Sequence, residues 1–197
     1  MSIAVIAALA ISQTSSQDPS YIVQAMYPAG SIRKDPTEPG GHSESSNMPK
    51  MMTSRSVLQK TLGVEVIATK TGVNVHIFNT SSQDAWLRAM DGNMIGWLEA
   101  QNGKDWEPIE FHMFADCGNS YHKVLLPTNY EWNFDRLIPK GSWQTKVRFV
   151  VLEKNKTITS QPVVMSIPPT RVKLSSDLSG KYKLATNTYP TIMPITR

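Results

Sequence analysis

The sequence predicts an all-β protein, an antiparallel β-sandwich of about 8–9 strands. Three observations carry this. Val73, Val75 and Ile77 alternate with Asn74, His76 and Phe78, and Trp143, Thr145, Val147, Phe149 and Val151 alternate with Gln144, Lys146, Arg148 and Val150, the two-residue period of strands with one buried face. Asp91-Gly92 and Asn102-Gly103 are hairpin signals, because a type I′ turn needs positive φ at both central residues. No helical period appears after the apolar start of the chain.

The elements follow in order. Ser2 to Ile11 is an apolar run too short to span a bilayer, for which about twenty residues are needed. It reads as the core of a signal peptide over residues 1–16, with Ala8-Leu9-Ala10 as a small-x-small cleavage pattern, although no Lys or Arg precedes it. Residues 17–55 are rich in Pro, Gly and Ser and read as a flexible arm that buries too little apolar surface to offset its chain entropy. The sandwich spans 56–172. Its strands run from Leu62 to Thr69, Val73 to Phe78, Ala85 to Met90, Met94 to Gln101, Trp106 to Phe114, Tyr121 to Leu126, Tyr130 to Ile138, Trp143 to Glu153 and Lys156 to Ile167. Pro108 lacks a backbone donor, so its strand belongs at an edge or carries a bulge. Residues 173–197 are a polar tail without a clear period.

At 197 residues the chain has room for one ordinary domain with extensions. The net charge of +4 comes from Lys and Arg scattered as single residues, without the interleaved aromatics of a nucleic-acid footprint, so nucleic acid is not an expected partner. No transmembrane segment is expected once the signal peptide is removed. Cys117 is the only cysteine, which excludes an intrachain disulfide and any zinc site needing two thiolates.

Candidate chemistry concentrates between Asp105 and Leu126. His112, Cys117 and His122 follow at five-residue intervals, and two imidazoles with a thiolate form a candidate metal set. Strand alternation argues against it. Ile109, Phe111 and Met113 mark a buried face, which turns Glu110 and His112 outward, whereas His122 points inward with Val124 and Leu126. The plainer reading is a surface His112, a turn Cys117 and a buried, hydrogen-bonded His122. Cys117 as a nucleophile beside His122 would need a lowered thiol pKa that only the histidines would supply. Lys70-Thr71-Gly72 matches the KTG of serine β-lactamases, but their S-x-x-K and S-D-N partners are missing. Asp116, Cys117, Asn119 and Tyr121 in the corner, with Trp97 and Trp106, are the candidate binding residues. The tryptophans would serve a sugar platform, while Trp86, Trp106, Trp132 and Trp143, at or near strand starts, also read as lids over the core. Asn79-Thr80-Ser81 and Asn155-Lys156-Thr157 fit the N-glycosylation pattern.

The pattern Trp106-x-x-Ile109-Glu110, Cys117-Gly118-Asn119-Ser120-Tyr121-His122, Leu126-Pro127, Tyr130 with Trp132, and the run from Lys140 to Phe149 resembles exported bacterial β-sandwich domains of unknown function. The resemblance covers about the central half of the chain, implies an immunoglobulin-like fold and transfers no activity. The expected protein is an exported, non-enzymatic module without a cofactor that binds a protein partner or a cell-envelope component. The alternatives are a metal-binding protein or enzyme centred on His112, Cys117 and His122, and a carbohydrate-binding or protease-inhibitor sandwich.

Overall fold

The computed structural model describes residues 24–35, 47–53, 60–110, 120–153 and 156–169. Twelve strands fall among them: β1 (Lys50–Met51), β2 (Leu62–Ala68), β3 (Gly72–Asn79), β4 (Ala85–Met90), β5 (Asn93–Met94), β6 (Gly96–Asn102), β7 (Asp105–Pro108), β8 (Tyr121–Leu126), β9 (Tyr130–Leu137), β10 (Trp143–Glu153), β11 (Lys156–Thr159) and β12 (Val163–Ile167). They form a four-stranded sheet in the order β1-β9-β3-β2 and an eight-stranded sheet built around β10. All pairings are antiparallel. The protein is an all-β sandwich.

Alternation explains the layering. Val73, Val75 and Ile77 of β3 point inward with Trp132 and Phe134 of β9, where Ile77 lies opposite Trp132 and Val75 opposite Phe134. Leu98 and Ala100 of β6 meet them from the other sheet with Val147, Phe149 and Val151 of β10. A single apolar core results, and its removal from water is the main driving force of folding. β5 and β6 are one strand bent near Gly96, where a Cβ would lie 2.5 Å from the Phe149 ring. β5 therefore pairs with β4 while β6 pairs with β10.

The turn at Asp91-Gly92 has positive φ at both residues, as its sequence predicts. The next turn differs. Asn102 lies opposite Asp105, which leaves Gly103 and Lys104 as the central pair, and of these only Gly103 has positive φ. Glycine at the first central position is the type II′ arrangement rather than the expected I′.

Four further expectations are corrected. The two-residue strands and two breaks raise the strand count above the expected 8–9. The strand expected from Trp106 to Phe114 leaves the ladder after Pro108, at the sheet edge, as that proline's missing donor requires. The strand expected from Lys156 to Ile167 breaks at Ser160. Ser160 Oγ accepts from Phe149 N, and Pro162 supplies no donor before pairing resumes at Val163.

The fourth correction concerns the expected flexible arm, whose described residues pack into the domain. Ala25, Tyr27, Ala29 and Ser31 are buried. Met94 N donates to Tyr27 O and Ala29 N to Gly92 O, so the arm runs along β5 as an added edge. Ser31 Oγ then accepts from Leu125 N, and Lys123 pairs with Asp35 at 3.0 Å. Residues 1–16, the remainder of the arm and the tail from 173 onward lie outside the described residues.

Candidate functional site

β7 delivers Ile109 and Glu110 to the edge of β6. Just beyond the ladder Ile109 N donates to Leu98 O, and Leu98 N donates to Glu110 Oε2 at 3.0 Å. A side-chain carboxylate thus takes the place of a strand carbonyl. Alternation placed Glu110 outward. The structure corrects this: its residue is 1% exposed, because the chain turns inward after Pro108.

Three elements converge on that carboxylate. Tyr27 of the arm donates its hydroxyl to Oε2 at 2.5 Å. Arg136 of β9, in the opposite sheet, donates to Oε1 from Nε at 3.0 Å and from Nη2 at 2.6 Å. Nη1 and Nη2 of Arg136 also donate to the carbonyls of Met26 and Gln24. Its guanidinium also lies 5.0 Å from the centre of the Tyr27 ring. Burial acts to lower the Arg136 pKa, but the charge of Glu110 and the contribution of Tyr27 outweigh it and hold the pKa above its ordinary value. The Tyr27 ring meets Phe134 at 5.5 Å and Phe149 at 4.7 Å, one residue from each sheet. An ion pair whose arginine also bonds two arm carbonyls has the geometry of a clasp between the two sheets and the arm.

A second pair lies on the outer face of the eight-stranded sheet. Arg148, opposite Glu99 in the ladder, donates to Glu99 Oε2 from Nε at 2.8 Å. Trp97 Nε1 donates to Glu99 Oε1 at 2.9 Å. The Arg148 guanidinium sits 4.0 Å from the centre of the Trp106 ring.

The residues singled out from the sequence fare unequally. His112, Asp116, Cys117 and Asn119 lie outside the described residues. His122 is 4% exposed and points inward with Val124 and Leu126, as alternation predicts, with Nδ1 3.1 Å from Ser120 O. Among the described residues no group of three His, Cys, Asp or Glu is placed to hold a metal ion. Tyr121 is buried. Trp97 is 0% exposed, which corrects its reading as a platform, and Trp106 offers one face to Arg148. Asn79 is fully engaged: Nδ2 donates to Gln83 O and Leu126 O while Oδ1 accepts from Ser81. It is buried, which corrects its reading as a glycan acceptor; Asn155 lies outside the described residues. Sequence reasoning missed Tyr27 and Arg136. The signal was present, in Ala25-x-Tyr27-x-Ala29 and in the alternation Trp132, Phe134, Arg136, which puts a charge on a buried face in need of a partner.

The outer face of the four-stranded sheet is exposed. Ile67 is 47% exposed and Leu137 is 75% exposed. Gly72 lies directly beside Leu137, and Asn74, beside Ile67, donates to Asp135 on the same face. Glu65, Glu131 and Asp135 share this face with His76, whose Nδ1 is 3.8 Å from Glu131. Among the described residues β2 forms a ladder only with β3, and β10, β11 and β12 of the other sheet also approach it. No helix of the described residues is long and apolar enough to cross a membrane. No family model, curated protein or solved structure matches the chain.

Proposed function

We propose that the chain is an exported, non-enzymatic binding module whose partner is a protein docked on the outer face of the four-stranded sheet. The observation that carries this reading is the exposure of Ile67 and Leu137 on one sheet face. Exposed apolar side chains grouped on one face mark interaction sites more often than scattered ones do. Acidic Glu65, Glu131 and Asp135 around the apolar pair favour a partner segment carrying basic side chains.

The test is photo-crosslinking of the full chain in its natural host, with the reactive group at position 67 or 137 and a control at Lys156, whose side chain is 76% exposed. The reading predicts one discrete adduct shared by positions 67 and 137 and absent from position 156. Equal labelling at all three positions, or none at 67 and 137, contradicts it.

A further inference from the structure

We propose that the partner docked on the outer face of the four-stranded sheet is a second copy of this chain, which binds through Ile32, Arg33 and Lys34 of its arm. The inference rests on the docking reading above and deepens it by naming the occupant. Two surfaces of one molecule carry it. The first is the docking face. Its rows hold exposed Ile67 and Leu137 together with Glu65, Glu131 and Asp135. Among the described residues Lys50, opposite Glu131, is the one Lys or Arg that the strand register places on this face. Three carboxylates therefore stand against one cation.

The second surface lies where the arm reaches β8. Ser31 anchors the arm by accepting from Leu125 N, and Lys123 holds Asp35. Between these anchors Ile32, Arg33 and Lys34 are all exposed, Ile32 at 55%. The Arg33 guanidinium lies 5.8 Å from the centre of the half-buried Trp86 ring and pairs with Asp84 at 3.2 Å. Arg88 stands opposite Lys123 in the ladder. Four cations, Arg33, Lys34, Arg88 and Lys123, stand here against two carboxylates, Asp35 and Asp84.

The two surfaces complement each other and not themselves. Each sets an exposed aliphatic side chain among charges of one prevailing sign, Leu137 among carboxylates and Ile32 among cations. Either surface placed on its own copy opposes like charges, whereas one placed on the other surrounds an apolar contact with opposite charges. The exposed Arg33–Asp84 pair does not compete strongly, because a solvated ion pair contributes little. The surfaces belong to different sheets, so the contact is heterologous. Each bound pair keeps one free surface of each kind, and further copies add head to tail until a ring closes or a filament grows.

The experiment measures the mass of the purified full chain in solution by light scattering, for wild type and for Leu137→Asp and Ile32→Asp, singly and mixed. Wild type is expected to form species larger than a dimer at about 100 μM, well above the dissociation constant of a micromolar contact. It is expected to fall to monomer as salt rises from about 0.1 to about 1 M, which shortens the screening length from about 10 to about 3 Å. Each variant alone is expected to be a monomer with the urea midpoint of wild type, since both positions are exposed. Their equimolar mixture is expected to give a dimer and nothing larger: Ile32→Asp keeps the docking face, Leu137→Asp keeps the arm, and the two spoiled surfaces end the series. The proposal is overturned by a wild type that stays monomeric at about 100 μM, or by a mixture that stays monomeric. It is also overturned if the host adduct at positions 67 and 137 has a mass other than that of two copies. That last result leaves the docking reading standing with a different protein as partner, whereas the absence of any adduct at 67 and 137 contradicts the reading itself.

Discussion

Two polar regions of this sandwich contain similar numbers of hydrogen-bonding side chains and use them in opposite ways. In the clasp, Tyr27, Glu110 and Arg136 spend their donors and acceptors on one another, on Leu98 N and on the carbonyls of Gln24 and Met26. On the solvent face where β6, β10 and β12 lie side by side, Gln101, Gln144 and Lys146 spend none on the described residues. A buried tyrosine, carboxylate and arginine within bonding distance resemble a catalytic set when met as a roster of residue types. Their saturation says otherwise. A group that must act on a ligand needs unspent valence, whereas a group that holds a fold together is costly when it has any.

The sharpest way to break this comparison is to remove one partner of the clasp. Arg136→Met is expected to cost about 3–5 kcal/mol in urea unfolding, since it leaves Glu110 buried without its counter-charge. A loss below about 1 kcal/mol would mean that solvent already screens the pair. The sign of its pH dependence follows from the raised Arg136 pKa. A raised pKa gives stability that is fully present below the ordinary arginine value and is lost only as pH rises beyond it, so this residue adds no instability in neutral or mildly alkaline solution.

Tyr27→Phe tests the arm's share with a smaller change. It removes one hydroxyl from a carboxylate and keeps the ring between Phe134 and Phe149, for an expected loss of about 1.5–3 kcal/mol in the same unfolding measurement. A neutral result would show that the Tyr27 hydroxyl adds nothing to the arm's other contacts. On the outer face, Trp106→Leu is expected to cost about 0.5–1 kcal/mol, the worth of the cation–π contact with Arg148 at a half-exposed site. At the bottom of the scale, Gln144→Ala is expected to change stability by less than about 0.5 kcal/mol, because nothing in the fold depends on that amide. A larger loss there would erase the distinction between the two regions.

The same contrast explains what was legible before the structure. Strands with one buried face announce themselves, and β2, β3 and β10 lie within a residue or so of where alternation puts them. The edge position of β7 follows from Pro108 alone. The inward side of His122 follows from Val124 and Leu126. The clasp was illegible because each member sits where a local rule fails. Tyr27 lies in a stretch whose average composition reads as an arm, although its own neighbours alternate. Glu110 follows a proline that ends the ladder, so counting faces from Ile109 onward misplaces it. Arg136 continues the buried face of β9 into a partner 26 residues away in sequence, a distance at which alternation is silent. The grouping on that solvent face was illegible for another reason. Gln101, Gln144 and Val164 come from three strands, and only the register of β10 against β6 and β12 brings them together.

The most direct test of the division between spent and unspent polar groups is the hydrogen-exchange rate of the Leu98 amide. Its only acceptor is the Glu110 carboxylate, in place of a strand carbonyl. If the clasp is structural, Leu98 exchanges only through global unfolding, as slowly as the β10 amides that face β6, and Arg136→Met accelerates it together with them. Rapid exchange at Leu98 in an otherwise protected β6 would contradict the account. It would mean that the Glu110 carboxylate is not committed to the fold and is free for chemistry.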